Sequence, residues 1–184
     1  MSTVDEINAI SKQIYELKER RAELQKGRPL EPVNDHELQT SSGPATLSSL
    51  FGDRSEMLLV HNMGERCSYC TMWADGLNGY RKVLEERAVF VVASPDAPAV
   101  QQAVAKRRDW EFTMVSVQGS PLFVELGFQE ADGSVMPGVS ALYKDEAGKI
   151  WRTGLDYFGP LDDYCPPWPL FALLKNGNND WEPS

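Results

Sequence analysis

The 184-residue sequence is 42% hydrophobic and 24% charged, the balance of an ordinary soluble globular protein with a sizeable core. Its formal net charge of −9 gives it no broad attraction for phosphate backbones, so we expect no nucleic-acid partner. No apolar run approaches the roughly 18 residues that cross a membrane, and the N-terminus lacks the pattern of a signal peptide. We therefore expect no membrane partner and a cytoplasmic location.

An N-terminal helix is predicted from residue 3 to about 26, where Gly27 and Pro29 provide a stop signal. The helix either packs on its own domain or forms a short coiled coil, and a pattern of this length leaves both interpretations open. We expect a homodimer, and we divide the chain into an N-terminal helix at 1–28, which is a candidate dimerisation arm, and a main domain at 29–184. The pattern consists of apolar residues at three- and four-residue spacings: Ile7, Ile10, Ile14, Leu17 and Leu24.

After a loop-like stretch at 27–44 and a short helix at 45–51, predicted strands and helices alternate. This alternation predicts parallel strands with helices on both faces, and a terminal hairpin makes the sheet mixed. The stretch 118–136 is rich in glycine and proline and has no clear pattern. Strands are predicted at 57–61, 88–93, 112–117, 139–143 and 150–153, and helices at 67–86 and 94–108.

Two cysteines in a C-x-x-C pair, Cys67 and Cys70, lie between a buried strand and a helix, and this placement indicates redox chemistry. A thiol reacts as its thiolate, which the free N–H groups and the dipole of a helix N-terminus stabilise. Arg66 adds a positive charge beside the site, whereas the carboxylate of Glu65 opposes a thiolate there. Cys67, at the helix start, is therefore the expected nucleophile, and Cys70, one turn further on, is the expected resolving thiol.

The cysteines also allow other interpretations. A C-x-x-C pair is half of a zinc site, but the remaining candidate ligands, Cys165, His36 and His61, form no second C-x-x-C and no H-x-x-x-H. We therefore expect no metal and no cofactor. Cys165 could resolve Cys67 in a three-thiol relay, although an inert cysteine is the favoured interpretation.

The order strand, C-x-x-C, helix, strand, helix, strand, hairpin resembles that of the thioredoxin-like superfamily. A narrower resemblance is to a bacterial thioredoxin-like family of unknown function, often labelled alkyl-hydroperoxide-reductase-like, with the pattern H-x-M, C-x-x-C, W-A-D-x-x-N-G. Here that pattern is His61-Asn62-Met63, Cys67-Ser68-Tyr69-Cys70 and Trp73-Ala74-Asp75-Gly76-Leu77-Asn78-Gly79. The resemblance covers about residues 3–175. It implies an α/β fold, namely a thioredoxin-like three-layer sandwich with a central mixed β-sheet and an N-terminal helical extension.

Other residues near the cysteines have candidate supporting roles. Pro137 stands where the superfamily places its cis-proline, and the resemblance implies a cis bond beside the cysteine pair. His61 either accepts a proton during exchange or is a hydrogen-bonded structural histidine, which we favour. Trp73 is expected in the core. Asp75 either assists Cys70 as a buried carboxylate or makes a simple hydrogen bond.

Departures from the related families bear on the reaction. Peroxiredoxins have Thr three residues before the peroxidatic cysteine, and Gly64 in this sequence removes the oxygen that would position a peroxide. Thioredoxins have Trp before the first cysteine, where this sequence has Arg66. Ser68 and Tyr69 lie between the cysteines; Tyr69 resembles the glutaredoxin motif, but no glutathione-binding pattern accompanies it.

Several functions remain open from the sequence. The favoured one is a thiol–disulfide oxidoreductase in which Cys67 attacks a protein or small-molecule disulfide, Cys70 resolves the mixed disulfide, and an unidentified electron donor completes the cycle. The first alternative is a peroxiredoxin-like peroxide reductase. The second is a non-catalytic thioredoxin-fold scaffold that dimerises through its N-terminal helix.

Overall fold

The computed structural model describes residues 2–184, so that Met1, the first residue of the predicted arm, lies outside the described residues. The chain divides into two compact units, one ending at Leu30 and the other spanning Glu31–Ser184. None of the helices within residues 2–184 is both long and apolar enough to cross a lipid bilayer.

The first unit contains one long helix, α1 (Thr3–Lys26), as the periodicity predicts. Ser2 caps it: the hydroxyl of Ser2 accepts the backbone N–H of Asp5 at 3.2 Å, and the Asp5 carboxylate accepts the backbone N–H of Ser2 at 2.9 Å. All residues of α1 are described, and none is buried. The helix therefore presents an uncovered apolar stripe whose side chains keep between 48% and 68% of their surface exposed: Ile7, Ile10, Ile14, Leu17 and Leu24.

The second unit is built on one eight-stranded sheet. Its strands are β1 (Glu31–Val33), β2 (Glu37–Thr40), β3 (Gly43–Thr46), β4 (Glu56–His61), β5 (Val89–Ser94), β6 (Thr113–Ser116), β7 (Gly138–Lys144) and β8 (Ile150–Tyr157). Its α-helices are α2 (Ser68–Arg87), α3 (Pro98–Arg108), α4 (Leu122–Glu125) and α5 (Pro167–Phe171). The strand order is β1-β8-β7-β4-β5-β6-β2-β3. The β4–β5 and β5–β6 pairs are parallel and the others antiparallel, so the sheet is mixed, as predicted.

The two most apolar predicted strands are neighbours at the centre of the sheet. In the β4–β5 pair, Leu59 lies opposite Val91 and Val60 lies opposite Val92. Leu59 and Val91 belong to the core cluster on one face, and Val60 and Val92 belong to the cluster on the other. Because successive side chains of a strand point to opposite faces, these strands are buried on both sides. The prediction that Val60 and Val91 lie on adjacent buried strands is confirmed.

Helices cover both faces of the sheet and complete three layers. On the face that carries Val60, α2 contributes Trp73 and α3 contributes Val104 to the core. On the face that carries Val91, the short helix α4 contributes Phe123. The long helix α2 is thereby fixed against the sheet, with its first turn at the end of β4.

The stretch 27–44 is not the loop that its prolines and glycine predict, since β1, β2 and the start of β3 lie within it. Val33 and Leu38 are 6% and 1% exposed, and each is anchored in the core. Pro32 and Pro44 occupy β1 and β3, the two edge strands of the sheet. Proline is tolerated at an edge because its missing N–H can face away from the neighbouring strand.

Two predicted helices differ in type or extent. The short helix predicted at 45–51 is a 3-10 helix at Ser48–Phe51, because residues 45 and 46 belong to β3. The helix predicted from residue 94 begins at Pro98, because β5 extends through Ser94 and a turn follows it.

Pro137 enters β7 without the expected cis bond, and that prediction is wrong: no peptide bond within residues 2–184 is cis. Its carbonyl oxygen accepts the backbone N–H of Phe158 at 2.9 Å, which continues the pairing of β7 with β8 one residue before Gly138. Pro137 does lie beside the cysteine pair, since it lines the same small cavity as Cys70 and Trp73.

Gly138, the first residue of β7, has no room for a side chain. A Cβ there would lie 2.4 Å from the backbone oxygen of Asp156 and 2.4 Å from the ring of Phe128. We expect Gly138→Ala to lower the free energy of unfolding by roughly 1–3 kcal/mol, the usual cost of overpacking, as measured by urea denaturation. Gly159→Ala is the control, because a Cβ at that position meets nothing within 4 Å. Equal effects of the two substitutions would contradict this account.

Candidate functional site

The expected nucleophile lies where the chain turns from a strand into a helix. β4 ends at His61, the loop 62–66 follows, and Cys67 is the N-cap residue of α2. The backbone of Cys67 is extended, and its sulfur accepts the backbone N–H of Cys70 at 3.1 Å. Ser, Thr, Asp or Asn usually fills this position, and here a sulfur satisfies one of the free N–H groups of the helix.

Hydrogen bonds stabilise the thiolate of Cys67. The Cys70 thiol donates to the Cys67 sulfur, and the backbone N–H groups of Cys70 and Tyr69 add to this effect. Partial burial opposes them because it disfavours a charge, but the balance lowers the pKa of Cys67 from 9.0 to about 6. Cys67 is therefore mostly a thiolate at neutral pH.

Cys70 is the opposite kind of thiol. It is 2% exposed, and its sulfur accepts the backbone N–H of Met63 at 3.4 Å. Its role as donor to Cys67, together with burial, raises the pKa of Cys70 far above its usual range. Two cysteines one helical turn apart thus differ in both exposure and protonation.

The groups that lower the pKa of Cys67 do not include Arg66, whose expected contribution stays a prediction. Its side chain is exposed, and every group that lowers this pKa is a hydrogen-bond donor in the first turn of α2. Water and salt screen a charge in that position. Glu65, which was expected to oppose the thiolate, accepts a hydrogen bond from Nη2 of Arg107 at 3.1 Å.

Polar side chains that sequence reasoning missed hold the loop before Cys67. The amide oxygen of Asn62 accepts the N–H of Gly64 at 2.7 Å, and the carboxylate of Asp96 accepts the N–H of Glu65 at 2.8 Å. Gly64 has a φ of +106°, and a Cβ on it would lie 2.9 Å from Oδ1 of Asp96, so only glycine fits. The contact between Asp96 and the loop could have been predicted from the sequence. Asp96 follows β5 and the loop follows β4, and the carboxyl ends of neighbouring parallel strands meet at one edge of the sheet.

His61 lies in the core on the sheet face opposite to α2. Its ring stacks on Phe128 with centroids 3.7 Å apart, and its Nε2 is hydrogen-bonded to the Ser140 hydroxyl at 2.9 Å. Burial, aided by the charge of Arg152, lowers the pKa of His61 to about 3, so the ring is neutral at physiological pH. This placement favours a structural histidine over a proton acceptor for the cysteine pair.

The W-A-D-x-x-N-G segment connects α2 to the end of α3. Asp75 accepts Nε1–H of Trp110 at 2.7 Å and pairs with Arg108 at 3.3 Å. Its carboxylate is therefore engaged with α3 and its following turn, which favours a simple hydrogen-bonding role over assistance to Cys70. Asn78 makes two hydrogen bonds to the backbone of 109–111, at 3.1 and 3.0 Å. This part of the pattern has a structural explanation.

Aromatic rings pack beside the cysteine pair. Trp73 is 3% exposed and packs on Phe158 with ring centroids 5.6 Å apart, in agreement with the expected core position. Tyr69 stacks on Trp168 at 6.1 Å. Ser68, the other residue between the cysteines, is partly buried and lines a groove along α2.

Cys165 lines the groove along α2 that Ser68 also lines, whereas His36 and His61 are engaged by other residues. Cys165 is 2% exposed, and burial together with the charge of Asp162 raises its pKa to about 11, so its thiol stays protonated at neutral pH. His36 is hydrogen-bonded to Glu125, and His61 lies in the core. Within residues 2–184, no three His, Cys, Asp or Glu side chains come together as metal ligands. The zinc interpretation finds no ligand cluster among these described residues, and the burial of Cys165 favours an inert cysteine over the three-thiol relay.

A family model matches residues 4–180 of the chain, and the family is described as bacterial protein of unknown function (DUF899). The chain belongs to this family. The match includes nearly all of α1, in agreement with the span of the resemblance found in the sequence. No curated protein matches the chain.

Similar solved structures are peroxiredoxins, which are redox enzymes with a thioredoxin fold. Peroxidoxin BcpB from Mycobacterium tuberculosis is 26% identical, with a TM-score of 0.53 over 66% of this chain and 80% of that chain. A reduced 2-Cys peroxiredoxin from Plasmodium vivax is 15% identical, with a TM-score of 0.56 over 71% and 83% of the two chains. A peroxiredoxin-like protein from Aquifex aeolicus is 14% identical, with a TM-score of 0.56 over 70% and 74%. The expected thioredoxin-like α/β fold is confirmed.

Removal of the Cys70 thiol should raise the pKa of Cys67, because it removes the donor that contributes most to the lowered value. In the unmodified pair, we expect the alkylation rate of Cys67 to reach half its maximum near pH 6. This is well below the pKa of about 8.5 of an unperturbed thiol. Cys70→Ala should move the midpoint to higher pH, whereas Cys70→Ser keeps a hydroxyl donor and should move it less.

The measurement is the rate of iodoacetamide modification against pH, in a Cys165→Ser background, with the modified residue identified by mass spectrometry. A midpoint that Cys70→Ala leaves unchanged would show that the Cys70 thiol does not stabilise the anion.

Proposed function

We propose that the protein is a thiol–disulfide oxidoreductase that exchanges electrons between its Cys67–Cys70 pair and a disulfide of another molecule. The observation that carries this proposal is the inequality of the two thiols. Cys67 is partly exposed and stabilised as an anion, whereas Cys70 is buried and protonated one turn away. Exchange requires an accessible thiolate and a second thiol within reach of it. Similarity to peroxiredoxins supports an oxidoreductase function.

The reaction proceeds in two displacements. First, the Cys67 thiolate attacks one sulfur of the substrate disulfide; the substrate S–S bond breaks, and the leaving thiolate takes a proton from water. Second, Cys70 loses its proton to solvent and attacks the Cys67 sulfur, which releases the other half of the substrate as a thiolate. Two electrons pass from the cysteine pair to the substrate, and a dithiol reductant that re-reduces the Cys67–Cys70 disulfide closes the cycle.

The first displacement prepares the second one. The raised pKa of Cys70 depends first on its hydrogen bond to Cys67 and then on burial, with the negative charge of Cys67 adding to both. In the mixed disulfide, the Cys67 sulfur is neutral, so Cys70 loses its anionic acceptor and the repulsion from a neighbouring thiolate. The N–H of Met63 then remains to stabilise a Cys70 thiolate. Cys70 therefore becomes a nucleophile only after the substrate is bound.

A peroxide reductase is the second candidate, and the fold of the similar solved structures favours it. In that reaction, Cys67 takes one peroxide oxygen as a sulfenic acid and releases an alcohol or water; Cys70 then forms the disulfide and releases water. The position before Cys67 that holds Thr in peroxiredoxins is Gly64, which packs against the carboxylate of Asp96. No hydroxyl is available at that position to orient a peroxide, so disulfide exchange is the better supported reaction.

Cys70→Ser should trap the substrate on Cys67, because the second displacement cannot occur. Incubated in reduced form with a disulfide-bonded peptide dimer, this variant should gain the mass of one peptide at Cys67. The Cys165→Ser control should release both peptides and end with an internal disulfide, and Cys67→Ser should do neither. A peptide captured by Cys165 and retained in Cys67→Ser would contradict the assignment.

A redox titration of the reduced chain separates the enzyme from the scaffold. We expect one two-electron couple that both Cys67→Ser and Cys70→Ser abolish and Cys165→Ser leaves in place. Absence of this couple would favour the scaffold. Consumption of hydrogen peroxide faster than reduction of the peptide disulfide, with the same dithiol reductant, would instead establish the second candidate.

The proposal also includes a homodimer formed through α1. The apolar stripe repeats at three- and four-residue spacings, with Ile7 and Ile14 in one series, which Arg21 interrupts, and Ile10, Leu17 and Leu24 in the other. Isoleucine in the first series and mostly leucine in the second favour a two-stranded coiled coil. A second copy of the same stripe is complementary to it, and its packing would remove both from water.

Two lysines placed in the stripe should dissociate the dimer. We expect Ile10→Lys combined with Ile14→Lys to give a monomeric mass by sedimentation at micromolar concentration, because both charges would be buried in the interface. Glu19→Gln, on the opposite side of α1, is the control and should stay dimeric. An unmodified chain that sediments as a monomer would rule out this assembly.

A further inference from the structure

A groove of about 670 Å³ runs along α2 beside the cysteine pair. One wall is a single face of that helix, on which Ser68, Gly76 and Tyr80 recur at helical spacing. A Cβ on Gly76 or on Gly79 would meet nothing within 4 Å, so this wall is open to an occupant. Because Ser68 follows Cys67 in the chain, one end of the groove lies at the expected nucleophile.

The opposite wall includes residues 181–184, the C-terminal segment. Trp181, Pro183 and Ser184 line the groove. The Trp181 ring packs edge-on against Phe171 at 5.0 Å and against Trp168 at 6.2 Å, yet 41% of its surface remains exposed. No residue of the C-terminal segment is buried. The segment therefore lies on the surface and is held mainly by the ring of Trp181.

The C-terminal segment also reaches the residues between the cysteines. Partial burial and the nearby carboxylate of Glu182 raise the pKa of Tyr69, which places this carboxylate close to the Tyr69 hydroxyl. The Tyr69 ring stacks on Trp168, the same ring that Trp181 contacts. Ser68 lies in the groove that the segment borders. Both spacer residues of the C-x-x-C pair are therefore linked to this segment.

We propose that the groove binds an extended segment of a polypeptide substrate beside its reactive disulfide, and that residues 181–184 narrow that site, as the wall opposite α2, until the substrate displaces them. This inference rests on the proposed function and deepens it, because it names the substrate class as a protein. The preferred substrate segment has an aromatic residue followed by an acidic one, since Trp181 and Glu182 make those contacts in the resting chain.

The dimensions and lining of the groove fit a peptide. From Ser68 to Tyr80 the helix rises by about 18 Å, at 1.5 Å per residue. An extended chain covers that length with roughly five or six residues. Met72 contributes an apolar surface, and the guanidinium of Arg108 is already paired with Asp75 at 3.3 Å. A small anionic thiol would find no unpaired cation among these lining residues and would leave most of the volume unfilled.

A tethered segment competes strongly with a free one. A short linker holds its segment at an effective concentration on the order of millimolar, so the full chain binds an added peptide weakly even when the groove is accessible. Removal of residues 181–184 abolishes this competition and leaves the wall formed by α2 unchanged.

The test is the binding of a fluorescein-labelled peptide with the sequence of residues 180–184, followed by fluorescence anisotropy. We expect the chain that lacks 181–184 to bind this peptide about tenfold more tightly than the full chain does, or better. Trp181→Ala combined with Glu182→Gln in the full chain should give an intermediate affinity. In the truncated chain, Gly76→Phe fills the groove and should weaken binding about tenfold. Lys82→Phe places the same phenyl ring at an exposed position of α2 outside the groove and should have no effect.

Equal binding by the full and truncated chains, or no binding by the truncated chain, would overturn the inference. A redox titration of the same proteins reports on the proposed function separately. A two-electron couple without peptide binding would support the proposed oxidoreductase function and would rule out the groove as its substrate site. Peptide binding without a two-electron couple would rule out the oxidoreductase function, and the groove could then not be its substrate site.

Discussion

At the start of α2, the backbone N–H of Cys70 reaches the sulfur of Cys67 at 3.1 Å, and this contact both begins the helix and holds the nucleophile. An N-cap contributes about 1 kcal/mol to a helix, so the fold itself favours the rotamer in which the sulfur faces the helix end. The free backbone N–H groups of the first helical turn, which an N-cap satisfies, are also the donors that stabilise a thiolate. Helix stability and thiol reactivity therefore have one physical cause at Cys67.

That contact needs a fixed loop before it, and the parallel pairing of β4 with β5 provides one. Because the two strands end side by side, Asp96 after β5 can hold the N–H of Glu65 after β4. The close approach of the carboxylate leaves no space for a side chain on Gly64. Gly64, which stands where peroxiredoxins have Thr, is therefore required by the packing of Asp96 against this loop.

Features encoded by local pattern could be predicted from the sequence. The unbroken apolar runs of β4 and β5, the periodicity of α1 and the position of Cys67 at a helix start are of this kind. Contacts between distant segments could not be predicted in this way: Asp75 with Trp110 depends on where α3 ends, and the burial of Val33 depends on the core that forms around β1. The position of Arg66 directly before Cys67 predicts a charge effect, but its side chain is exposed, and the groups that lower the pKa of Cys67 are hydrogen-bond donors of the first helical turn.

The pairing of Asp75 and Asn78 with the segment after α3 has a mechanical consequence. Three hydrogen bonds tie α2 to 109–111 and so resist a shift of this helix along the sheet. In the proposed exchange reaction, we therefore expect side-chain torsions and the loop 62–66, rather than α2, to adjust when the two sulfurs are joined. The change between the two states would then be largest on the surface of that loop, where Met63 presents an exposed thioether.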